Sequence, residues 1–271
     1  MPLNIIVCIK QVPDPEHFDQ ITIDPKTGLI HRIGIPSITN PLDRHAIEEA
    51  LRIKEAFGGI VTVLTMGPSQ ARKSIEEALA MGADRGAILC DQVFAGADTL
   101  LTAYVLSNGI RAIGNFDLIL CGSETTDGGT GQVPPQLAEF LDIPHVTHAR
   151  KIVLIDTKRV IVERTVENGY LKIELKLPAL IAVLKSINQY RLPTVMGIME
   201  ATKKEIIEFG GSICQSSGME KEYIGSLESP TKVIEIFEPL QRRSVEMIGG
   251  LPKEATRKLI KRLRDLEVLS R

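Results

Sequence analysis

Ile60-Val61-Thr62-Val63-Leu64-Thr65 is followed by Met66-Gly67-Pro68-Ser69 and a helical stretch from about Ser69 to Met81. Gly82 stops that stretch, and Gly86–Leu89 is a second apolar run. The first run is rich in β-branched residues and nearly continuous in its apolar character. A strand buried on both faces of a parallel sheet needs such a composition. In the intervening stretch Ile75, Ala78 and Leu79 share one helical face, as in a helix laid across a sheet. Strand, helix, strand in this order implies a parallel crossover.

The same alternation extends in both directions. Ile5–Ile9 and Leu118–Cys121 read as further buried strands. Asn40-Pro41-Leu42-Asp43 opens a helix: Asn40 can cap, Pro41 suits the first helical position, and Asp43 favours the positive end of the dipole. Leu42, Ala46, Ala50 and Phe57, flanked by Ile47 and Leu51, give it an apolar stripe, and Gly58-Gly59 ends it. A third helix follows Asp98, with Leu101, Val105 and Leu106 inward, and a fourth runs from near Gln132 to Leu141. The fold class is α/β, a doubly wound, mostly parallel sheet.

Lys151–Lys176 departs from this pattern. It alternates and carries Glu167-Asn168-Gly169-Tyr170, a hairpin turn, so it reads as an appended antiparallel ribbon. Pro178–Lys185 resembles one more buried strand. Gly210-Gly211-Ser212 and Ser216-Ser217-Gly218 read as linker, Thr231–Glu238 as a strand, and Lys253 to about Val268 as a charged helix. Residues 1–210 are therefore expected to form the α/β domain, and residues 211–271 a linker and C-terminal arm. Ala255, Leu259, Ile260, Leu263 and Leu266 make one stripe on that arm. The stripe either docks on a partner or packs on its own domain.

Composition narrows the function. A formal net charge of −2 gives no field for nucleic acid or an anionic membrane. Aromatic residues are 4% with no Trp, which argues against a platform for stacking bases. Cys8, Cys90, Cys121 and Cys214 form no CxxC and no metal-ligand spacing, so they read as small buried hydrophobes in a reducing compartment. The first apolar run is too short for a signal peptide and no stretch reaches the length of a membrane span, so a cytoplasmic protein is expected.

Ligands of open parallel sheets bind beyond the carboxyl ends of the strands. Lys10-Gln11-Val12-Pro13, Met66-Gly67-Pro68-Ser69 and the run from Cys121 to Pro134 should all open on that edge. The last, Cys121-Gly122-Ser123-Glu124-Thr125-Thr126-Asp127-Gly128-Gly129-Thr130-Gly131-Gln132-Val133-Pro134, crowds glycines and small hydroxyls into a loop that enters a helix. Backbone N–H groups there can approach an anion closely, helped by the helix dipole. Ser123 and Thr130 can donate hydroxyls and Gln132 its amide. These are the parts of a phosphate or pyrophosphate cradle; a ligand-free surface loop is the other reading. GxGxxG after the first strand and GxxxxGK[ST] are both absent, which argues against an ordinary dinucleotide dehydrogenase and a P-loop NTPase.

No catalytic group stands out. His17, His31, His45, His145 and His148 lack Ser or Cys partners by motif, although His45 lies in the first turn of the Asn40 helix and could approach a ligand. Asp14, Glu16 and Asp19, like Lys203-Lys204 and Lys258–Arg264, read as solvated charge. A chain with a binding loop and no acid–base machinery suits a cofactor that brings its own chemistry.

Several motifs, in order, resemble the electron-transfer flavoprotein beta subunit. They are Val7-Cys8-Ile9-Lys10-Gln11-Val12-Pro13, Asn40-Pro41-Leu42-Asp43 with Ala46–Leu51, Met66-Gly67-Pro68, Ala80-Met81-Gly82-Ala83-Asp84 and the Asp127–Pro134 loop. Leu177-Pro178-Ala179-Leu180, Tyr190-Arg191-Leu192-Pro193, Gly197-Ile198-Met199, Lys203-Lys204 and Pro252-Lys253-Glu254-Ala255 extend the likeness over nearly the whole chain. The resemblance implies a Rossmann-like, adenine-nucleotide-binding domain that works with an alpha subunit carrying FAD. It places the nucleotide against Cys8, Asn40, Asp43, Met66, Cys121, Gly122, Ser123 and the loop residues Asp127, Gly128, Gly129, Thr130, Gly131, Gln132 and Val133. It makes Tyr190–Met199 a recognition loop for dehydrogenase partners and wraps the C-terminal arm on the alpha subunit. The Asp127–Val133 loop looks more like the electron-bifurcating branch, which holds a second FAD, takes electrons from NADH and passes them on toward ferredoxin- or quinone-type acceptors. Gly131 and Pro134 depart from that branch's usual Ala and Gly, the former being expected only to open space. A conventional electron carrier with structural AMP is the alternative. An ATP-binding stress-type module and a metal-assisted hydrolase using Asp127 or Glu124 are readings of other classes.

Overall fold

The N-terminal apolar run forms β1 (Leu3–Ile9), and the Asn40 helix forms α1 (Pro41–Phe57), ending at the left-handed Gly58. The computed structural model describes residues 2–20, 22–23, 30–31, 35–156, 158–217, 229–232, 234 and 245–268. Between β1 and α1 lie two small antiparallel pairs: β2 (Gln11–Pro13) with β5 (Ser37–Thr39), and β3 (Thr22–Ile23) with β4 (Ile30–His31). The βαβ unit read at Ile60–Leu89 is present as β6 (Gly59–Met66), a 3-10 turn at Ser69–Ala71, α2 (Arg72–Met81) and β7 (Arg85–Leu89). Then follow α3 (Thr99–Ile113), capped by the Asp98 carboxylate on Leu101 N at 3.0 Å, β8 (Leu118–Gly122) and α4 (Val133–Leu141).

The ribbon comprises β9 (His145–Ile155), β10 (Arg159–Val166) and β11 (Gly169–Lys176). After it come β12 (Ala179–Val183), α5 (Val195–Ala201) and β13 (Ile206–Phe209). Among the described residues these strands form one nine-stranded sheet in the order β11-β10-β9-β12-β8-β1-β6-β7-β13. Neighbours from β9 to β13 along this order are parallel; only the β9–β10 and β10–β11 pairings are antiparallel. The mostly parallel α/β sheet with an appended ribbon is thus observed.

Two cores flank the sheet. One face packs α1 and α2 through Ile47, Leu51, Ile75 and Leu79 against Ile5, Val7 and Leu120. The other packs α3 and α4 through Val105, Ile110 and Leu137 against Ile6, Leu64 and Ile119. Each fully buried Leu or Ile contributes about 1.5–3 kcal/mol relative to exposure. The chain divides into two compact units, Met1–Ile234 and Glu235–Arg271, the second containing α6 (Pro252–Asp265).

Some local expectations change. The Gly/Ser-rich stretch read as linker forms a 3-10 helix over Gly211–Ser217, because Cys214 is buried in the second core and Gly211 N donates to Asp91 Oδ2 at 2.7 Å. Of the strand read over Thr231–Glu238, residues 231, 232 and 234 are irregular and the others lie outside the described residues. Lys204 is no solvated side chain: its Nζ donates to Leu79 O at 2.9 Å and Ala83 O at 2.7 Å, satisfying carbonyls at the end of α2.

Candidate functional site

Chain order reverses at β1, which has β6 on one side and β8 on the other. Loops leaving such a pair part in opposite directions and leave a crevice at the carboxyl edge. A cavity of about 780 Å³ opens there, lined by the ends of β1, β6, β7 and β8 and by the first turn of α3. Cofactor sites typically span about 300–1,000 Å³, so this one lies in the upper part of that range.

Asp43 bridges the reversal point. Its Oδ2 accepts from Lys10 N at 2.8 Å and its Oδ1 from Gly122 N at 2.9 Å, so one buried carboxylate ties the ends of β1 and β8. Burial pushes this carboxyl up to about 7, against the hydrogen bonds from Lys10, Asn40 and Gly122 that pull it down. A folded-state pKa above the unfolded one means the folded protein binds more protons in between. The stabilisation is complete below about pH 4 and is lost as pH rises toward 7. Thermal melts of wild type and Asp43→Asn across this range should therefore converge with rising pH, wild type gaining on the variant as pH falls. Parallel curves would show that Asp43 does not titrate there.

Asn40 is expected from the sequence as a helix cap and, by the family resemblance, as a ligand contact. It makes no side-chain cap. Instead its buried amide splints the glycine-rich loop, donating to Glu124 O at 3.0 Å and accepting from Thr126 N at 3.3 Å. Asp127 accepts from Lys10 Nζ and from Gly128 N, both at 2.8 Å. Among the described residues Lys10 is the one cationic side chain lining the cavity. Gly129 and Gly131 sit at φ 57° and 61°, the left-handed region that favours glycine. A β-carbon at Gly131 would meet only Ser123 O, at 3.5 Å, so its demand is conformational, and the expectation that it merely opens space is corrected.

The loop enters α4 at Gln132, which makes no side-chain cap, while Thr99 Oγ1 reaches across to Gln132 Oε1 at 3.2 Å. Pro134 and Pro135 remove donors from the first turn of α4. An anion here would rest on the loop amides and the Thr130 hydroxyl more than on the helix. Ser123 Oγ accepts from His148 N at 3.1 Å, holding the left-handed kink (φ 57°) in β9.

Cys8 and Cys121 are neighbours in register on β1 and β8 and form part of the floor. Burial, with Asp43 nearby, pushes the Cys8 thiol up to about 12; burial, then Cys8 and Asp43, raises Cys121 as well. Both stay protonated at neutral pH and behave as small apolar groups.

Of the sequence-derived residues, Cys8, Asp43, Met66, Cys121, Gly122, Ser123, Gly128, Thr130, Gly131, Gln132 and Val133 line this one cavity. Asn40 and Asp127 do not line it but brace the loop that does, and Gly129 is an exposed residue of the same loop outside the lining. His45 does not line the cavity; its Nδ1 lies 2.9 Å from Asn188 Oδ1 and its ring meets Tyr190 edge-on at 5.0 Å. Sequence reasoning missed the far wall, made by Cys90, Asp91, Phe94, Asp98 and Thr102. The signal was available, since Cys90-Asp91 directly follows the third parallel strand.

Fold and cavity define an open-sheet α/β protein with a cofactor-sized cleft at its switch point. The electron transfer flavoprotein domain matches residues 27–212. Electron transfer flavoprotein subunit beta of Thermoanaerobacterium thermosaccharolyticum is 44% identical over 267 residues, covering 98% of this chain and 100% of that protein. The caffeyl-CoA reductase-Etf complex subunit CarD of Acetobacterium woodii is 40% identical over 98% of this chain and 100% of its own length. Protein FixA of Sinorhizobium fredii is 40% identical over 89% of this chain and 85% of its own length. The chain belongs to the electron transfer flavoprotein family, as a beta subunit.

Proposed function

We propose that this chain pairs with an alpha subunit, holds FAD in the cavity at the switch point, and takes part in electron bifurcation from NADH. The observation that carries this reading is the extent of the cavity. Its about 780 Å³ run from the glycine-rich loop past the Cys8 floor to Phe94 and the first turn of α3, leaving room beyond a mononucleotide. Loop amides from Gly128 to Val133 would hold the pyrophosphate, and Met66, Phe94, Leu106 and Leu137 supply apolar wall. Bound FAD would supply the one- and two-electron chemistry that no side chain offers. The protein's part is to orient it, through the Asn40 splint and the Asp43 bridge, and to keep the thiols beneath it neutral. The kinship with CarD, a subunit of a caffeyl-CoA reductase-Etf complex, supports membership of a larger redox assembly. Quantifying FAD and AMP released from the purified heterodimer tests the reading. Two FAD and no AMP are expected; one FAD and one AMP would make the chain a conventional carrier.

The route to redox partners runs over α5. Thr194 caps it, accepting from Gly197 N at 3.0 Å, and a β-carbon at Gly197 would lie 2.2 Å from Ala80 O, so α5 sits directly on the end of α2. Outward it presents Val195, Met196, Ile198 and Met199, beside Leu192, all more than half exposed. An apolar patch of this kind marks a docking surface, here for a dehydrogenase-type partner. Met199→Glu should slow electron exchange with that partner about tenfold or more. Nucleotide content and melting temperature should not change, because the side chain is 59% exposed. Unchanged exchange would remove α5 from the docking surface. The Leu259, Ile260 and Leu266 side chains of α6 are exposed as well, and the arm is proposed to dock on the alpha subunit.

A further inference from the structure

Three aspartates line the cavity, and each accepts two backbone N–H groups. Asp43 joins β1 to β8, as described. Asp91 takes Val93 N with Oδ1, at 3.1 Å, and Gly211 N with Oδ2, at 2.7 Å. Asp98 takes Leu101 N with Oδ1, at 3.0 Å, and Thr231 N with Oδ2, at 3.0 Å. Its own N–H donates to Ser229 Oγ at 2.9 Å. Asp98 is thus in a reciprocal pair with residues 229–231, and Ser229 is buried there at 3% exposure. Neither Ser229 nor Thr231 lines the cavity, whereas Ala97, Asp98 and Thr99 do.

We propose that Asp98 is a positioning residue that couples occupancy of the cavity to residues 229–231, the segment that leads into the C-terminal unit. This rests on the reading that the cavity holds an adenine nucleotide in a heterodimer. The physical argument has two steps. A ligand filling the α3 end of the cavity packs on the backbone of Ala97–Thr99 and fixes the Asp98 peptide. That same peptide and its carboxylate hold Ser229 and Thr231, so fixing one side favours order on the other. The coupling is reciprocal by linkage. Whatever orders residues 229–231, including a partner bound to the chain after them, tightens nucleotide binding, and affinity differences among variants of one complex lie mostly in the dissociation rate, so release slows. The second tie, from Asp91 to Gly211, fastens the preceding part of the segment to the same wall.

The test follows the release of the co-purified nucleotide from the whole heterodimer after transfer to nucleotide-free buffer, measured as AMP and FAD by chromatography. Ser229→Ala removes the acceptor of Asp98 N without touching the cavity, and Thr231→Pro removes the donor to Asp98 Oδ2. Each should speed release about two- to tenfold, the scale of one net hydrogen bond. Ser229→Thr, which keeps the hydroxyl, should restore the wild-type rate. Release at the wild-type rate from a nucleotide-loaded Ser229→Ala complex overturns the coupling, even if that variant melts at a lower temperature. A purified complex that contains no adenine nucleotide overturns the underlying reading and the coupling together, so the two failures are distinguishable.

Discussion

Replacing Gly122 by alanine is expected to lower the melting temperature of the complex by roughly 6–12 °C, from a loss of about 3 kcal/mol. Gly122 ends β8 against the first turn of α1. A β-carbon there would lie 2.5 Å from Asp43 Oδ1, 2.7 Å from Leu42 Cβ and 3.1 Å from the Leu42 carbonyl carbon. None of these is the free end of a flexible side chain, so the first turn of α1 must retreat. Its retreat lengthens the Gly122 N to Asp43 Oδ1 hydrogen bond, 2.9 Å in the native fold. It also lifts the Asn40 splint from the glycine-rich loop. A buried acceptor that loses its donor adds its own desolvation cost to the steric one. Nucleotide content should fall along with stability, since the loop and the Asp43 bridge share α1 as their support. Gly128→Ala is the control. Its β-carbon would meet only Thr125 Oγ1 at an ordinary 3.5 Å, and the change should stay within about 0.5 kcal/mol. A Gly122→Ala complex that melts with wild type would mean that α1 can shift without cost, and the bridge would not be what holds the crevice in shape.

The elements that support this site were legible where local physics decides them. The buried parallel strands announce themselves as near-continuous apolar runs, and α1, α2 and α3 by one-sided stripes ended by a glycine or preceded by Asp98. Ile206-Ile207-Glu208-Phe209 was missed as β13 because it is short, carries a charge, and becomes a strand only by pairing with β7. Gly211–Ser217 looked like linker by composition. Its order comes from burying Cys214 and from a bond to Asp91, 120 positions away in sequence. In the site, residue type was a good guide to location, while role depends on what each side chain faces. Asn40 and Asp127, expected as ligand contacts, also hydrogen-bond to loop backbone and to Lys10. A polar residue near a loop serves ligand or scaffold according to which donors face it, and only the three-dimensional register fixes that.

Arg191 poses the same question of role for the proposed docking segment, and Arg191→Ala should cost about 2–3 kcal/mol without changing the nucleotide content of the complex. The guanidinium and the backbone N–H both serve Glu48: Nε to Oε2 at 2.8 Å, Nη2 to Oε1 at 3.1 Å, N to Oε2 at 3.1 Å. A second fork reaches Glu55 at 2.6 Å and 3.2 Å, an exposed pair that adds little. Glu48 is 3% exposed and lies on α1. Burial alone would raise its carboxyl, but the hydrogen bonds from Arg191 and Arg52 outweigh this and hold it below the ordinary range. Removing Arg191 leaves a buried carboxylate with Arg52 as its remaining guanidinium, at 2.9 Å. The cost stays below that of a fully buried pair because Arg191 is partly solvated. The sign of the pH dependence follows from the depressed carboxyl. Its contribution is present above the unfolded value of 4.5 and disappears as pH falls through the folded one. The melting curves of wild type and Arg191→Ala should therefore be far apart at neutral pH and draw together below about pH 4.5. Arg191→Lys should recover only part of the difference, because an ammonium cannot fork onto a carboxylate. Arg191 also anchors the chain just before α5, so, if α5 docks as proposed, electron exchange with a dehydrogenase-type partner should fall in Arg191→Ala as is expected for Met199→Glu. Loss of stability with exchange intact would mean that α5 is held by its seat on α2 alone. Loss of both would show that the Glu48 ion pair orients the docking surface.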